Sequence, residues 1–369
     1  MTEQQLLERQ QQQANTVKRD LIKKTHHWVP WDDLDLERTA YKTAILSLVF
    51  DCVGVWGSLL PEDISIERMT EALSNIVLKV SIVDDAQKRA DGDNNLEPSA
   101  IIIKQHSDIE SKELKWLRII SSSSLHAPKL LAEFANGHLE ECLDGRSLKA
   151  AQMRDMRIAK GVMQAMSHLH KTHPGPLSNN DLYDRVERWR LRAVQSGIAG
   201  FEEYLSKAFA DDLVKKCQAV NSPLVLSHND LQMGNIVLER KSEKIILIDY
   251  EYCNISPRGY DIANYFCEWM TDYAAEDRES LDPGKFPNPD QITELLASYG
   301  DDDRLEYKEI EPFINLSHYL WTCWSIRQIA VNPTVNFDFF KYAHNRAKMI
   351  NPGRKLDDKT DTGLDSGQP

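Results

Sequence analysis

None of the six cysteines, Cys52, Cys142, Cys217, Cys253, Cys267 and Cys323, forms a CxxC pair or another metal-ligand spacing. A chain of 369 residues is also far longer than the small secreted scaffolds that disulfides hold together. Reduced thiols are therefore expected, which places the chain in the cytoplasm. Basic residues are outnumbered, 44 against 57 acidic, and the formal net charge of -13 works against non-specific binding to nucleic acid or anionic lipid. Long uninterrupted apolar runs are missing. The longest candidate, residues 44–60, carries Asp51 near its middle together with Gly54 and Gly57, which disfavours stable membrane insertion and fits a core helix. The N-terminal segment has no apolar h-region and no small-residue cleavage site, so no secretory signal is expected. A GxxxxGK[ST] phosphate loop, a GxGxxG fingerprint, heptads and longer internal repeats are also absent from the sequence.

What is present is an ordinary globular composition, 41% apolar and 27% charged, in a chain too long for one hydrophobic core. Two lobes are expected, over 31–145 and 146–350. A polar tail (1–30) and a loosely ordered, Gly/Pro-dotted one (351–369) should stay out of the core. The first lobe predicts α+β structure: a helix near 36–56, strands over 75–83 and 100–105 joined by the hairpin loop AQKRADGDNNLEPS, a helix over 109–121 and a strand over 129–134. The second lobe repeats apolar residues at helical spacing over 156–170, 181–194, 201–220 and 311–330. Short β-type segments at 224–226, 235–238 and 245–248 interrupt it, the last two joined by the turn ERKSEK. They put the polar residues of PLVLSHNDLQMGNIVLERKSEKIILIDYEY on loops between strands, where chemistry is commonly mounted.

The sharpest constellation in that stretch is His228-Asn229-Asp230, then Asn235, then Asp249 behind the apolar strand IILI. Each alone is an ordinary turn or strand-end residue, because Asx side chains favour turns. The ordered set points to phosphoryl transfer to an alcohol, which needs an acceptor for the hydroxyl proton and hard oxygen ligands for Mg²⁺ bridging the phosphates. In kinase logic Asp230 takes the proton, while Asn235 and Asp249 hold the metal.

With HNDLQMGN, IDYEY and PRGYDIANYFCEWMTDY in this order, the chain resembles the choline/ethanolamine kinase family. The resemblance runs from the helix near Tyr41 to Trp56, through ALSNIVLKV, to SHYLWTCWSI and Tyr342, most of the chain outside its tails. It implies a bilobal, protein-kinase-like α+β fold akin to aminoglycoside phosphotransferases. ATP would bind between a small β-rich N-lobe and a mainly helical C-lobe, near ECLDGRSL. It also implies Asp230 as catalytic base, Asn235 and Asp249 as Mg²⁺ ligands, and Gln232 as the polar residue of the QxGN loop on the nucleotide side. Lys104 of AIIIKQ would reach the ATP phosphates with Glu113 as its helix partner, a role for which Glu110 competes. Ser74 and Asn75 stand at the phosphate-covering loop, where this sequence departs from its relatives. The run Glu71-Ala72-Leu73 replaces the family's Gly-Gly before Ser-Asn, removing easy positive-φ conformations and close backbone approach to phosphate.

Trp321 and Trp324 lie three apart in a helical stretch and so share a face. Such a pair is ordinary core packing in isolation. Within the motif set, the resemblance implies that they and Tyr342 cage a quaternary ammonium, which aromatic faces attract. Glu268 and Tyr273 match the remaining pocket residues, and Tyr252 joins them. Trp269 is assigned to the core, and Arg258 and Asp261 to bracing the neighbouring loop, Asp261 also as a helix cap. His168, His170 and His173 are assigned to a partly solvated helix end. The function implied is a choline kinase that makes phosphocholine, the first step of phosphatidylcholine synthesis by the CDP-choline route, with ethanolamine as a slower substrate. QMGN and RGYDIANYFCEW favour choline over an ethanolamine kinase. The rival of another class is a catalytically silent binding protein that keeps the fold; it is motivated by the Glu71-Ala72 loop and opposed by the intact Asp230, Asn235 and Asp249. A small-molecule partner is expected rather than nucleic acid, and a homodimer is left open.

Overall fold

Strands that alternate buried and more exposed side chains can carry a core on one face, and β3 (Val77–Ile82) does so along its length. The computed structural model describes residues 23–29, 39–69, 76–83, 86, 98–105, 113–123, 125–172, 180–300, 305–332 and 336–350. The chain divides into two units, Met1–Asp144 and Gly145–Pro369.

In the first unit, β1 (Lys23–Lys24), β2 (Ile64–Arg68), β3, β4 (Ala100–Gln105), β5 (Leu130–Phe134) and β6 (Gly137–Glu141) form a sheet in the order β1-β5-β6-β4-β3-β2. The expected hairpin forms, with Val80 opposite Ile101, and nearly all of its loop lies outside the described residues. Helix α1 (Thr39–Cys52) sets Tyr41, Ile45, Leu48 and Val49 on one face. They share a core with Leu78, Val80, Ile101, Ile103 and Leu139. Each large apolar side chain buried this way contributes about 1.5–3 kcal/mol. Helix α2 (Glu113–Ser121) buries Trp116, Leu117 and Ile120.

Two features differ from the sequence reading. Strand β6, with the unpromising letters GHLEE, is paired on both sides, to β4 and β5, so ladder hydrogen bonds outweigh its polar composition. The segment 23–29 is no loose tail, because β1 pairs with β5 in parallel and occupies that edge. Val29 is buried, with its N–H donating to Asn136 Oδ1 at 3.1 Å and its carbonyl accepting from Asn136 Nδ2 at 2.6 Å.

The second unit is mainly helical. Besides a single turn at Ala150–Met153, its helices among the described residues are α3 (Met156–His170), α4 (Asp181–Gln195), α5 (Lys207–Ala219), α6 (Arg258–Glu268), α7 (Pro289–Tyr299), α8 (Tyr307–Val331) and α9 (Phe339–Ile350). Helix α5 starts later than its apolar pattern suggests, because Ser206 caps it by accepting from Phe209 N–H at 3.3 Å. Helix α6 is buried along its whole length. Two small sheets position the loops of interest: β7 (Gly145–Ser147) with β9 (Ile236–Glu239) and β10 (Ile245–Leu247), and β8 (Leu224–Ser227) with β11 (Asn254–Pro257). Among the described residues no helix is long and apolar enough to cross a membrane.

Candidate active site

After Ser227 ends β8, the chain turns through His228, Asn229 and Asp230. Asn229 holds a left-handed backbone with φ 67°, a conformation that Asn tolerates better than most residues. Its amide locks the turn. Nδ2 donates to the Tyr252 carbonyl and to Asn254 Oδ1, both at 3.0 Å, and Oδ1 accepts from Ser256 Oγ at 2.9 Å. The N–H groups of His228 and Asn229 donate to the Asp261 carboxylate at 2.8 and 2.7 Å.

Asp261 is therefore a brace and not a helix cap, since α6 already begins at Arg258. The same carboxylate lies 2.9 Å from His170 Nε2, and His170 Nδ1 lies 2.6 Å from Tyr299 Oη. His170 is buried, which corrects its assignment to a solvated helix end; His173 lies outside the described residues. Burial opposes the charge on Asp261. The hydrogen bond and charge of His170, the charge of His228 and the Asn229 N–H nevertheless hold its pKa below the usual carboxylate value. Arg258 pairs with Glu309 of α8, with Nε to Oε1 at 2.8 Å and Nη2 to Oε2 at 2.9 Å, which ties the start of α6 to that helix.

Asn235 Nδ2 donates to Asp230 Oδ2 at 2.8 Å and to the Asp230 carbonyl at 2.9 Å. Gln232 closes the turn between them, accepting from Gly234 N–H at 2.6 Å and donating to Asn235 Oδ1 at 3.2 Å. Burial, then the charges of Glu268, Glu251 and Asp249, push the Asp230 carboxyl well above its usual pKa, against the Asn235 hydrogen bond. A carboxylate in that setting is a better proton acceptor than one in water. Asp249 follows β10 with φ 65°. Its neighbour Ile248 ties the two segments, donating its N–H to the Asn235 carbonyl at 3.0 Å, with its own carbonyl 2.9 Å from His228 Nε2.

Asn235 and Asp249 offer hard oxygen donors of the kind Mg²⁺ takes. Among the described residues no group of three or more His, Cys, Asp or Glu is placed to hold a metal ion. That donor set fits an Mg²⁺ that takes most of its shell from phosphate and water, and does not suit an all-protein cage.

An array of rings starts at Tyr252, whose centroid lies 5.5 Å from Trp321 and 5.7 Å from Trp189. Trp321 and Trp324 meet edge-on at 5.5 Å, and Trp324 Nε1 donates to Tyr252 Oη at 3.0 Å. Contacts continue ring by ring, Trp324 to Phe339 at 5.7 Å, Phe339 to Phe337 at 5.1 Å, Phe337 to Tyr342 at 5.4 Å and Tyr342 to Tyr273 at 6.4 Å. The structure thus brings together all five expected aromatic residues, and the Tyr273 hydroxyl donates to Glu268 Oε2 at 3.0 Å. Burial, then the charges of Glu251 and Asp230, raise the Tyr252 pKa well above its usual value, so this end of the array lies near the proposed base. Trp269 is core, edge-on to Tyr265 at 6.2 Å.

Sequence reasoning missed Trp189, Arg185 and Arg346. Arg185 stands over both Trp189 and Tyr252, 5.7 and 5.8 Å from their centroids, and donates to the Tyr252 carbonyl at 2.6 Å. The i,i+4 spacing of Arg185 with Trp189, and of Tyr342 with Arg346, was the available signal. In the first unit, Lys104 Nζ donates to Glu113 Oε1 at 2.9 Å and both side chains are buried, so neither is a solvated surface residue. Glu110, Ser74, Asn75 and the Glu71-Ala72 departure lie outside the described residues.

Residues 66–351 match the family described as choline/ethanolamine kinase. A probable choline kinase 2 from Arabidopsis thaliana is 33% identical over 238 residues, which cover 60% of this chain and 67% of the relative. A human choline/ethanolamine kinase is 27% identical over 346 residues, 85% of either chain. The crystal structure of choline kinase from Cryptosporidium parvum is similar with a TM-score of 0.69 and 25% identity, covering 84% of this chain and 94% of that one. The fold is thus protein-kinase-like, with a β-rich first unit and a mainly helical second.

Proposed function

The chain belongs to the choline/ethanolamine kinase family, ATP-dependent kinases of small molecules, and on that premise we propose that it transfers the γ-phosphoryl group of ATP to the hydroxyl of choline. The product is phosphocholine, made in the cytoplasm as the first step of phosphatidylcholine synthesis by the CDP-choline route. The observation that carries the reading is the half-buried Asp230 carboxylate, held by Asn235, with the aromatic array beginning at Tyr252 close enough to feel its charge. Choline joins a cation to a hydroxyl through a short carbon link. A site for it needs ring faces and a proton acceptor close together.

Asp230 accepts the hydroxyl proton as the new O–P bond forms, and the bond from the γ-phosphorus to the bridging oxygen breaks with ADP as the leaving group. Positioning and charge stabilisation do most of the work in such a transfer, so Asp230 need not be a strong base. Asn235 and Asp249 would hold Mg²⁺, which supplies neutralisation of the phosphate charge when bound with the nucleotide. Lys104, oriented by Glu113, is assigned to the phosphates, with Gln232, Ser74 and Asn75 as further nucleotide contacts. Tyr252, Trp321, Trp324, Tyr342 and Tyr273 are assigned to the ammonium, with Glu268 behind the last two.

The purified protein should be incubated with labelled ATP, Mg²⁺ and, in parallel, choline, ethanolamine and an aminoglycoside. Ethanolamine is included because the human relative is named for both alcohols. Label should pass to choline in preference to ethanolamine and not to the aminoglycoside. A labelled aminoglycoside alone, or no labelled product, contradicts the proposal.

A further inference from the structure

Glu268 and Arg346 form an ion pair with both side chains sealed from solvent, 1% and 0% exposed. Arg346 Nη2 donates to Glu268 Oε1, while Oε2 accepts from the Tyr273 hydroxyl at 3.0 Å; Thr271 Oγ1, 3.3 Å from Oε2, gives its proton to the Glu268 backbone carbonyl at 2.8 Å. Each carboxylate oxygen thus has one donor, one of them a guanidinium that also neutralises its charge.

Arg346 also organises the two tyrosines. Its Nε and Nη2 donate to the Tyr342 hydroxyl at 2.9 and 2.7 Å, which leaves that hydroxyl's proton for the Tyr273 oxygen 3.0 Å away. Tyr273 in turn gives its only proton to Glu268. The circuit from Arg346 through Tyr342 and Tyr273 to Glu268 is closed on itself. Nη1 faces His318 Nδ1 at 3.4 Å, and burial together with the Arg346 charge holds that imidazole neutral, well below its usual pKa. Arg346 also stands over the Tyr342 ring, 5.0 Å from its centroid, so what the two tyrosines can still offer a cation is the Tyr273 ring and the opposite face of Tyr342.

We propose that Arg346 is the positioning residue that sets the ammonium class: by engaging and neutralising Glu268 it denies a primary ammonium the charged acceptor it needs and leaves a site that favours a quaternary one. The inference rests on the ammonium assignment made above and deepens it. A primary ammonium has three N–H donors that must find partners once desolvated, whereas a quaternary ammonium has none and interacts through the ring quadrupole. Glu268, the carboxylate among the assigned pocket residues, is already engaged.

The test is the ratio of kcat/KM for choline to that for ethanolamine, measured with the melting temperature, in the wild-type chain, Arg346→Met and the double variant Glu268→Gln/Arg346→Met. Arg346→Met releases the Glu268 carboxylate, and the ratio should fall by about tenfold, roughly what one charge-assisted hydrogen bond carries, chiefly through a lower KM for ethanolamine. The double variant removes charge and counter-charge together, so the choline preference should return, which a merely structural role would not produce. A folded Arg346→Met with the wild-type ratio overturns the proposal. If the single variant does not fold, the charge-balanced double carries the test: retained choline preference supports the proposal and a shift towards ethanolamine overturns it. Wild-type protein that phosphorylates neither alcohol, and whose melting temperature neither alcohol raises, removes the substrate assignment and this inference with it. Choline turnover with an unmoved ratio removes this inference alone.

Discussion

At Trp324 two roles meet in one side chain. Its ring stands edge-on to Trp321 and its Nε1 fixes the Tyr252 hydroxyl, so the same residue offers a face and orients a neighbour. Trp324→Leu keeps apolar bulk but deletes the face. It should weaken choline binding by about 1–2 kcal/mol, roughly a five- to thirty-fold rise in KM, with a smaller effect on ethanolamine. KM values for both alcohols, read with the melting temperature, check this; an equal loss on both with a lower melting temperature would mark packing alone. The aromatic residues were legible because spacing and motif converge on them. Arg185, Trp189, His170 and Arg346 were not, because an arginine on an amphipathic helix reads as solvated, and a tryptophan as core, until the fold shows what lies opposite.

Helix α6 shows the same economy among elements. Buried throughout, it presents Asp261 to two backbone N–H groups of the loop that carries Asp230, so that turn takes its position from a rigid element. Asp261 has a depressed pKa in the folded chain. Its contribution to stability is fully present above the unfolded value of about 3.9 and is lost as pH falls through the folded value. Asp261→Asn should therefore cost about 2–3 kcal/mol at pH 7, where an amide faces an N–H it cannot accept from, and the gap to wild type should narrow at acid pH. Denaturant midpoints of both proteins at pH 7 and near pH 3 check this; a gap that does not narrow contradicts it. Strands such as Ile245–Leu247 and helices such as Met156–His170 were legible from local periodicity. Strand β6 and the segment at 23–29 were not, because their stability comes from partners distant in sequence.

Across the whole molecule, a net charge of -13 favours the approach of a cationic alcohol and opposes that of ATP. Nucleotide binding must then rest on local cations, the role proposed for Lys104 and for Mg²⁺ held by Asn235 and Asp249. The role proposed for Asp230 is tested most directly by phosphocholine formation in wild type and Asp230→Asn under saturating choline, ATP and Mg²⁺, followed by mass spectrometry. Wild type should turn over, and Asp230→Asn should lower kcat by at least about 10²-fold with little change in nucleotide affinity. Near-normal turnover by Asp230→Asn would contradict Asp230 as the base.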